Sequence, residues 1–189
     1  GKIGVLFIGD SITQGWNGAR DVWQAAYGKY DPANFGIGGD RTQHVLWRIE
    51  NGELDGISPK VVVLMIGTNN TGKEKDGSIR NSTPEIIEGV TTVVKRIRTK
   101  LPQSKLLLLA VFPRGAVDAP QRAQIKEINA AIAKLDDGKM IKFLDIGKVF
   151  LAEDGSIPKT IMPDLLHPNK QGYQLWADAM EPTLAGMLK

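Results

Sequence analysis

A three-layer α/β/α fold around a five-stranded parallel sheet is what the sequence predicts, on three observations. Short, almost unbroken apolar runs recur along the chain, the first being Ile3 to Ile8. Runs this short and this rich in β-branched residues read as strands buried on both faces. Segments of helical periodicity separate them, as right-handed crossovers between parallel strands require. Polar or glycine-led turns follow the strands, at the carboxyl edge where open α/β sheets bind ligands. The doubly wound strand order 2-1-3-4-5 follows as the leading expectation.

The elements can be taken in order. Strand one ends in Gly9-Asp10-Ser11, where Gly9 allows a sharp exit and leaves Ser11 at the strand's carboxyl end. A Gly/Asn loop leads to a short helix over Asp21–Tyr27, then a weak strand over Ala33–Gly36. Asp40 is the expected N-cap of a helix over Arg41–Asn51, with Val45, Leu46 and Ile49 inward and Gly52 at its stop. Strand three spans Lys60–Ile66 and ends in Gly67-Thr68-Asn69-Asn70. Thr83-Pro84 opens the next helix, whose Ile86, Val90, Val94, Ile97 and Leu101 keep helical spacing. Strand four, Lys105–Val111, precedes a helix over Ala119–Leu135, with Ile125, Ile128, Ile132 and Leu135 inward; strand five is Met140–Ile146. Met162–His167 is irregular between Pro163 and Pro168. The final helix, about Asn169–Leu188, carries Tyr173, Trp176, Met180 and Leu184, and Pro182 should kink or restart it.

Bulk properties narrow the function. The 189 residues suit one domain, residues 1–189, with no repeat or linker. A formal charge of +3 is mild, and its densest cluster, Lys95, Arg96, Arg98 and Lys100, falls late in a helix, where it complements the dipole rather than forming a nucleic-acid patch. No apolar run approaches the roughly 20 residues of a membrane span. With no cysteine there is neither a disulfide framework nor a thiolate metal site. The chain opens almost directly on its first strand, which fits both a bacterial cytoplasmic protein and a secreted or periplasmic one whose leader has been removed.

Acyl transfer through serine needs a base for the hydroxyl proton, a carboxylate to orient that base, and donors for the oxyanion. The chain has only two histidines, His44 and His167. His44 lies within a helix, where a structural role suits it better. His167 lies in the irregular segment, and Asp164-Leu165-Leu166-His167 can place a carboxylate beside the imidazole Nδ1 within one turn. Gly39 and Asn69 follow strands two and three on the edge that carries Ser11. The alternative is that Gly39 serves only its turn and Asn69 only its loop. The coincidence of four such features on one edge favours chemistry. No metal or organic cofactor is needed; Asp164, His167 and His44 would supply at most three ligands, with nothing to show that they converge. Trp16 and Arg114 fall near the same edge, where each is either a sugar contact or ordinary packing.

Gly9-Asp10-Ser11, Gly39, Gly67-Thr68-Asn69 and Asp164-x-x-His167 resemble, in order and spacing, the four blocks of the GDSL/SGNH hydrolase family. Asn34-Phe-Gly-Ile-Gly-Gly-Asp40, His44-Val-Leu-Trp-Arg48, Asn51-Gly-Glu-Leu54 and Gly67-Thr-Asn-Asn70 are similar to the catalytic subunits of intracellular platelet-activating factor acetylhydrolase and their bacterial relatives. Asn70 stands where many family members carry Asp, and the acetylhydrolase-like branch shares Asn there. The resemblance implies the SGNH fold, with its flavodoxin-like strand order, and a serine esterase acting on short-chain, chiefly acetyl, esters. It implies Ser11 as nucleophile, His167 as base and Asp164 as its orienter. The oxyanion hole would be the Ser11 and Gly39 N–H groups and the Asn69 side chain, with Ile12, Thr68 and Leu166 lining a small acyl pocket. The expected partner is a small-molecule or saccharide ester, with a phospholipid-like ester as the alternative, and a homodimer is compatible with the resemblance.

Two other classes compete. Gly36-Ile-Gly-Gly-Asp-Arg41 loosely resembles a dinucleotide fingerprint, as a nucleotide or flavin binder would require. Arg41 occupies the third glycine position, however, and the run follows the second strand rather than the first. An α/β-hydrolase nucleophile turn would need a glycine where Thr13 stands.

Overall fold

The computed structural model describes residues 2–189. Five strands, β1 (Val5–Gly9), β2 (Pro32–Gly36), β3 (Val61–Met65), β4 (Lys105–Leu109) and β5 (Ile141–Leu144), form one parallel sheet in the order β2-β1-β3-β4-β5. The expected order and layering hold. β3, β4 and β5 are shorter than the runs that announced them, β1 begins later but runs on to Gly9, and β2 begins one residue earlier than expected, at Pro32.

Strand pleating sends alternate residues to opposite faces. Val5, Phe7, Val61, Val63, Leu107 and Leu109 point to one side, where α2 (Arg20–Tyr27) and α6 (Lys170–Leu188) cover them. Leu6, Ile8, Val62, Leu64, Leu106 and Leu108 point to the other, under α3 (Thr42–Glu50), α4 (Thr83–Lys100) and α5 (Pro120–Ile132). The two cores differ in kind. Trp16, Trp23, Tyr27, Tyr173 and Trp176 interlock with Phe7 on the first face, with neighbouring ring centroids 4.6–5.9 Å apart. The second face is built mainly from Ile, Leu and Val.

Three local expectations are corrected. Arg41, not Asp40, is the N-cap of α3, and Asp40 instead turns its carboxylate to Arg48. Ser82, not Thr83, caps α4: its hydroxyl and the Glu85 carboxylate reciprocate in a capping box, which places Pro84 at the second helical position. Pro182 does not restart α6, which runs as one helix from Lys170 to Leu188. Leu46 is only half-buried beside the fully buried Val45 and Ile49. No described helix is long and apolar enough to cross a membrane.

Candidate active site

Ser11 begins α1 (Ser11–Gln14), a single helical turn set directly on the end of β1. Asp10 caps it, with Oδ1 accepting the Ile12 N–H at 2.9 Å. The close seating depends on two glycines. A β-carbon on Gly9 would lie 2.2 Å from Thr13 Oγ1, and one on Gly36 would lie 2.3 Å from the Gln14 nitrogen. Gly9 therefore provides space for the turn rather than an unusual backbone angle. At the other end of the turn, the Tyr173 hydroxyl of α6 donates to the Ile12 carbonyl at 2.6 Å. As the first helical residue, Ser11 has an N–H with no acceptor inside the helix.

His167 arrives from the segment between β5 and α6. Leu165, at φ 60, turns the chain through the left-handed region, and its carbonyl accepts the Gly115 N–H at 2.8 Å. That turn brings the His167 Nε2 to 2.8 Å from the Ser11 hydroxyl oxygen, across 156 residues of sequence. The His167 Nδ1 lies 2.6 Å from Asp164 Oδ2. The other Asp164 oxygen accepts the His167 N–H at 2.7 Å and the Leu166 N–H at 3.1 Å. Partial burial alone would raise the Asp164 carboxyl, but the hydrogen bonds from His167 and Leu166 outweigh it and hold the group below its ordinary value. An ionised carboxylate only accepts, so Nδ1 carries the imidazole proton and Nε2 is free to take one from Ser11.

The two other donors meet on Asp40. Gly39, exposed and at φ 82, precedes it, and its N–H has no partner among the described residues. Asn69 sits in the short turn Thr68–Asn70 after β3, and its Nδ2 donates to the Asp40 carbonyl at 2.9 Å, which leaves one amide hydrogen unused. The Asp40 carboxylate is gripped by Arg48, through Nε at 3.0 Å and Nη2 at 2.8 Å, and Arg48 also reaches the Phe35 carbonyl and Glu53. Asn70 is structural. Its Oδ1 accepts the Thr42 N–H at 3.0 Å, and its Nδ2 reaches Thr42, Gln43 and Asn81, so it ties the start of α3 to the turn after β3.

The remaining expected residues fall less simply. Leu166 is half-buried beside His167, but Ile12 and Thr68 are 1% and 2% exposed and offer almost no surface to a ligand. Trp16 is buried in the aromatic core, so it is packing and not a sugar contact. Arg114 donates to the Thr68 carbonyl at 2.9 Å. His44, at 54% side-chain exposure, accepts the Arg41 N–H on Nδ1 at 3.0 Å. Asp10, Arg48 and Tyr173 escaped sequence reasoning as parts of the site. Asp10 and Arg48 each lie within a quoted motif, but neither the burial of the one nor the tie of the other to Asp40 leaves a local pattern.

Residues 7–175 match the model of the GDSL-like lipase/acylhydrolase family. The chain belongs to that family. It is 36% identical over 185 residues to the human platelet-activating factor acetylhydrolase IB subunit alpha1, covering 97% of this chain and 76% of that one. It is 38% identical over 170 residues to the rat alpha2 subunit, covering 89% and 70%. Among solved structures, the acetyl xylan esterase AlAXEase superposes with a TM-score of 0.79 at 26% identity, covering 96% of this chain and all of that one. This GDSL-like acylhydrolase is a hydrolase of the esterase type, on a fold its relatives share.

Proposed function

We propose that this protein is a serine esterase that removes short acyl groups, chiefly acetyl, from a carbohydrate, with Ser11, His167 and Asp164 as its triad. The observation that carries this reading is the unbroken relay from Ser11 to His167 at 2.8 Å and on to Asp164 at 2.6 Å. As the Ser11 oxygen attacks the acyl carbon, its proton passes to His167 Nε2, and Asp164 stabilises the imidazolium. The Ser11 and Gly39 N–H groups and the Asn69 amide stabilise the tetrahedral oxyanion. His167 then protonates the leaving alcohol, leaving an acyl-serine. Water attacks that ester with His167 again as base, which releases the acid and restores Ser11.

Ser11→Ala should abolish hydrolysis of p-nitrophenyl acetate, and a fluorophosphonate should label wild type at Ser11; activity near wild type in the variant would remove the assignment. Asn69→Ala should lower kcat by about a hundredfold or more, roughly 3 kcal/mol of oxyanion stabilisation. The likeness to AlAXEase supports a carbohydrate leaving group. The higher identity to the acetylhydrolase subunits supports a phospholipid-like ester instead. Acetate release from acetyl-xylose, an acetylated sialic acid and a short-chain phospholipid separates the two.

A further inference from the structure

We propose that Trp47, together with the Gly38–Gly39 backbone and the His44 imidazole, forms a subsite for a sugar ring flanking the scissile ester; this rests on the esterase reading above. Trp47 lies on α3, whose Val45 and Ile49 point into the core, while Trp47 itself is 66% exposed. The other three tryptophans, Trp16, Trp23 and Trp176, pair with aromatic rings in the core. An indole left in water on a short helix contributes little to packing, and tryptophan is enriched at binding surfaces, where its apolar face and N–H both find partners.

The indole is joined to the reacting centre. It borders a shallow pocket of about 370 Å³, within the size range of small-molecule sites, whose other walls are Gly38, Gly39, Asp40, His44 and Arg48. Gly38 abuts the nucleophile turn: a β-carbon there would lie 4.0 Å from the Ser11 Cβ and 2.9 Å from Gln14 Oε1. The walls are fixed, because Asp40 and Arg48 are bound to each other. The chemistry suits a pyranose. Its C–H face is apolar and can lie on the indole, and its hydroxyls need hydrogen-bond partners. With Nδ1 occupied by the Arg41 N–H, the neutral His44 ring carries its proton on Nε2, a donor for a hydroxyl. A quaternary ammonium headgroup would call for a cage of several Trp, Tyr or Phe rings, whereas Trp47 is the single such ring on the walls of this pocket.

The test compares acetylated xylo-oligosaccharide, p-nitrophenyl acetate and a short-chain acetyl phospholipid as substrates. In Trp47→Ala, the ratio of kcat/KM for the oligosaccharide to that for p-nitrophenyl acetate should fall about tenfold, mostly through KM, as lost ground-state binding does. Trp47→Tyr should restore most of the ratio. Ile79→Ala, which removes an equally exposed apolar side chain (67%) elsewhere, should leave the ratio as in wild type. An unchanged ratio in Trp47→Ala, or a larger loss on the phospholipid, overturns the sugar subsite and leaves the esterase intact. A wild type that hydrolyses p-nitrophenyl acetate but not the oligosaccharide overturns both the subsite and the carbohydrate reading. A Ser11→Ala variant that still hydrolyses p-nitrophenyl acetate overturns the esterase reading itself.

Discussion

The Asp10 carboxyl caps α1 through Oδ1, while its Oδ2 is buried with no hydrogen-bond partner among the described residues. Burial pushes its pKa up to about 7, against the pull of the Ile12 N–H and the nearby His167. In the unfolded chain the group ionises near 4, so between about pH 4 and 7 the folded state holds the extra proton and stability falls as pH rises. Asp10→Asn keeps an oxygen for the Ile12 N–H and removes the titration. Its melting temperature should therefore improve relative to wild type on going from pH 5 to pH 8; thermal melts showing a pH-independent offset would contradict this. Ser11, Gly39 and Asn69 were legible because each stands in a short local pattern after a strand, and Asp164 and His167 because of their three-residue spacing just before the final helix. The burial of Asp10, Ile12 and Thr68 was not, since it depends on distant residues, such as Tyr173 of α6 over Ile12 and Arg114 over Thr68.

At the scale of elements, the nucleophile turn is held by close approach as well as by its own hydrogen bonds. A methyl at Gly36 would strike the Gln14 backbone, which has no flexible end to yield. Gly36→Ala should cost about 1–3 kcal/mol in urea unfolding and lower kcat as Ser11 shifts from His167. Tyr173→Phe leaves the buried Ile12 carbonyl without its donor and should cost about 1–3 kcal/mol, readable by the same denaturation. Helix and strand identities followed from apolar period, which long, regular segments such as α4 display plainly. The caps of α3 and α4 fell one residue from their expected places. Arg41 caps through backbone geometry, and Ser82 takes the role of Thr83 because Glu85 is at the right distance to reciprocate. The passage of α6 through Pro182 had no local signal; Trp176, Met180 and Leu184 are all fully buried on either side of it.

Across the whole molecule, the sheet order was readable because right-handed crossovers between largely apolar parallel strands admit few arrangements. The difference between its faces was not, because it depends on which helix lands on which side. The aromatic face supports the turn that carries Ser11, with Trp16 and Tyr173 4.6 Å apart and Trp16 and Trp176 5.1 Å apart. Trp176→Ala should therefore cost about 3–5 kcal/mol and lower activity below the melting point. Val93→Ala on the aliphatic face, a smaller truncation far from Ser11, should lower stability while sparing kcat; equal loss of kcat in both would contradict the distinction. Asp40 has a different kind of reach. Its carbonyl holds the Asn69 amide and its carboxylate holds Arg48, so the two loops assigned to the oxyanion in the proposed mechanism are tied to each other. An inhibitor that mimics the tetrahedral intermediate, such as a phosphonate, would then meet a cradle already in shape, and its affinity would not be eroded by any rearrangement of those loops.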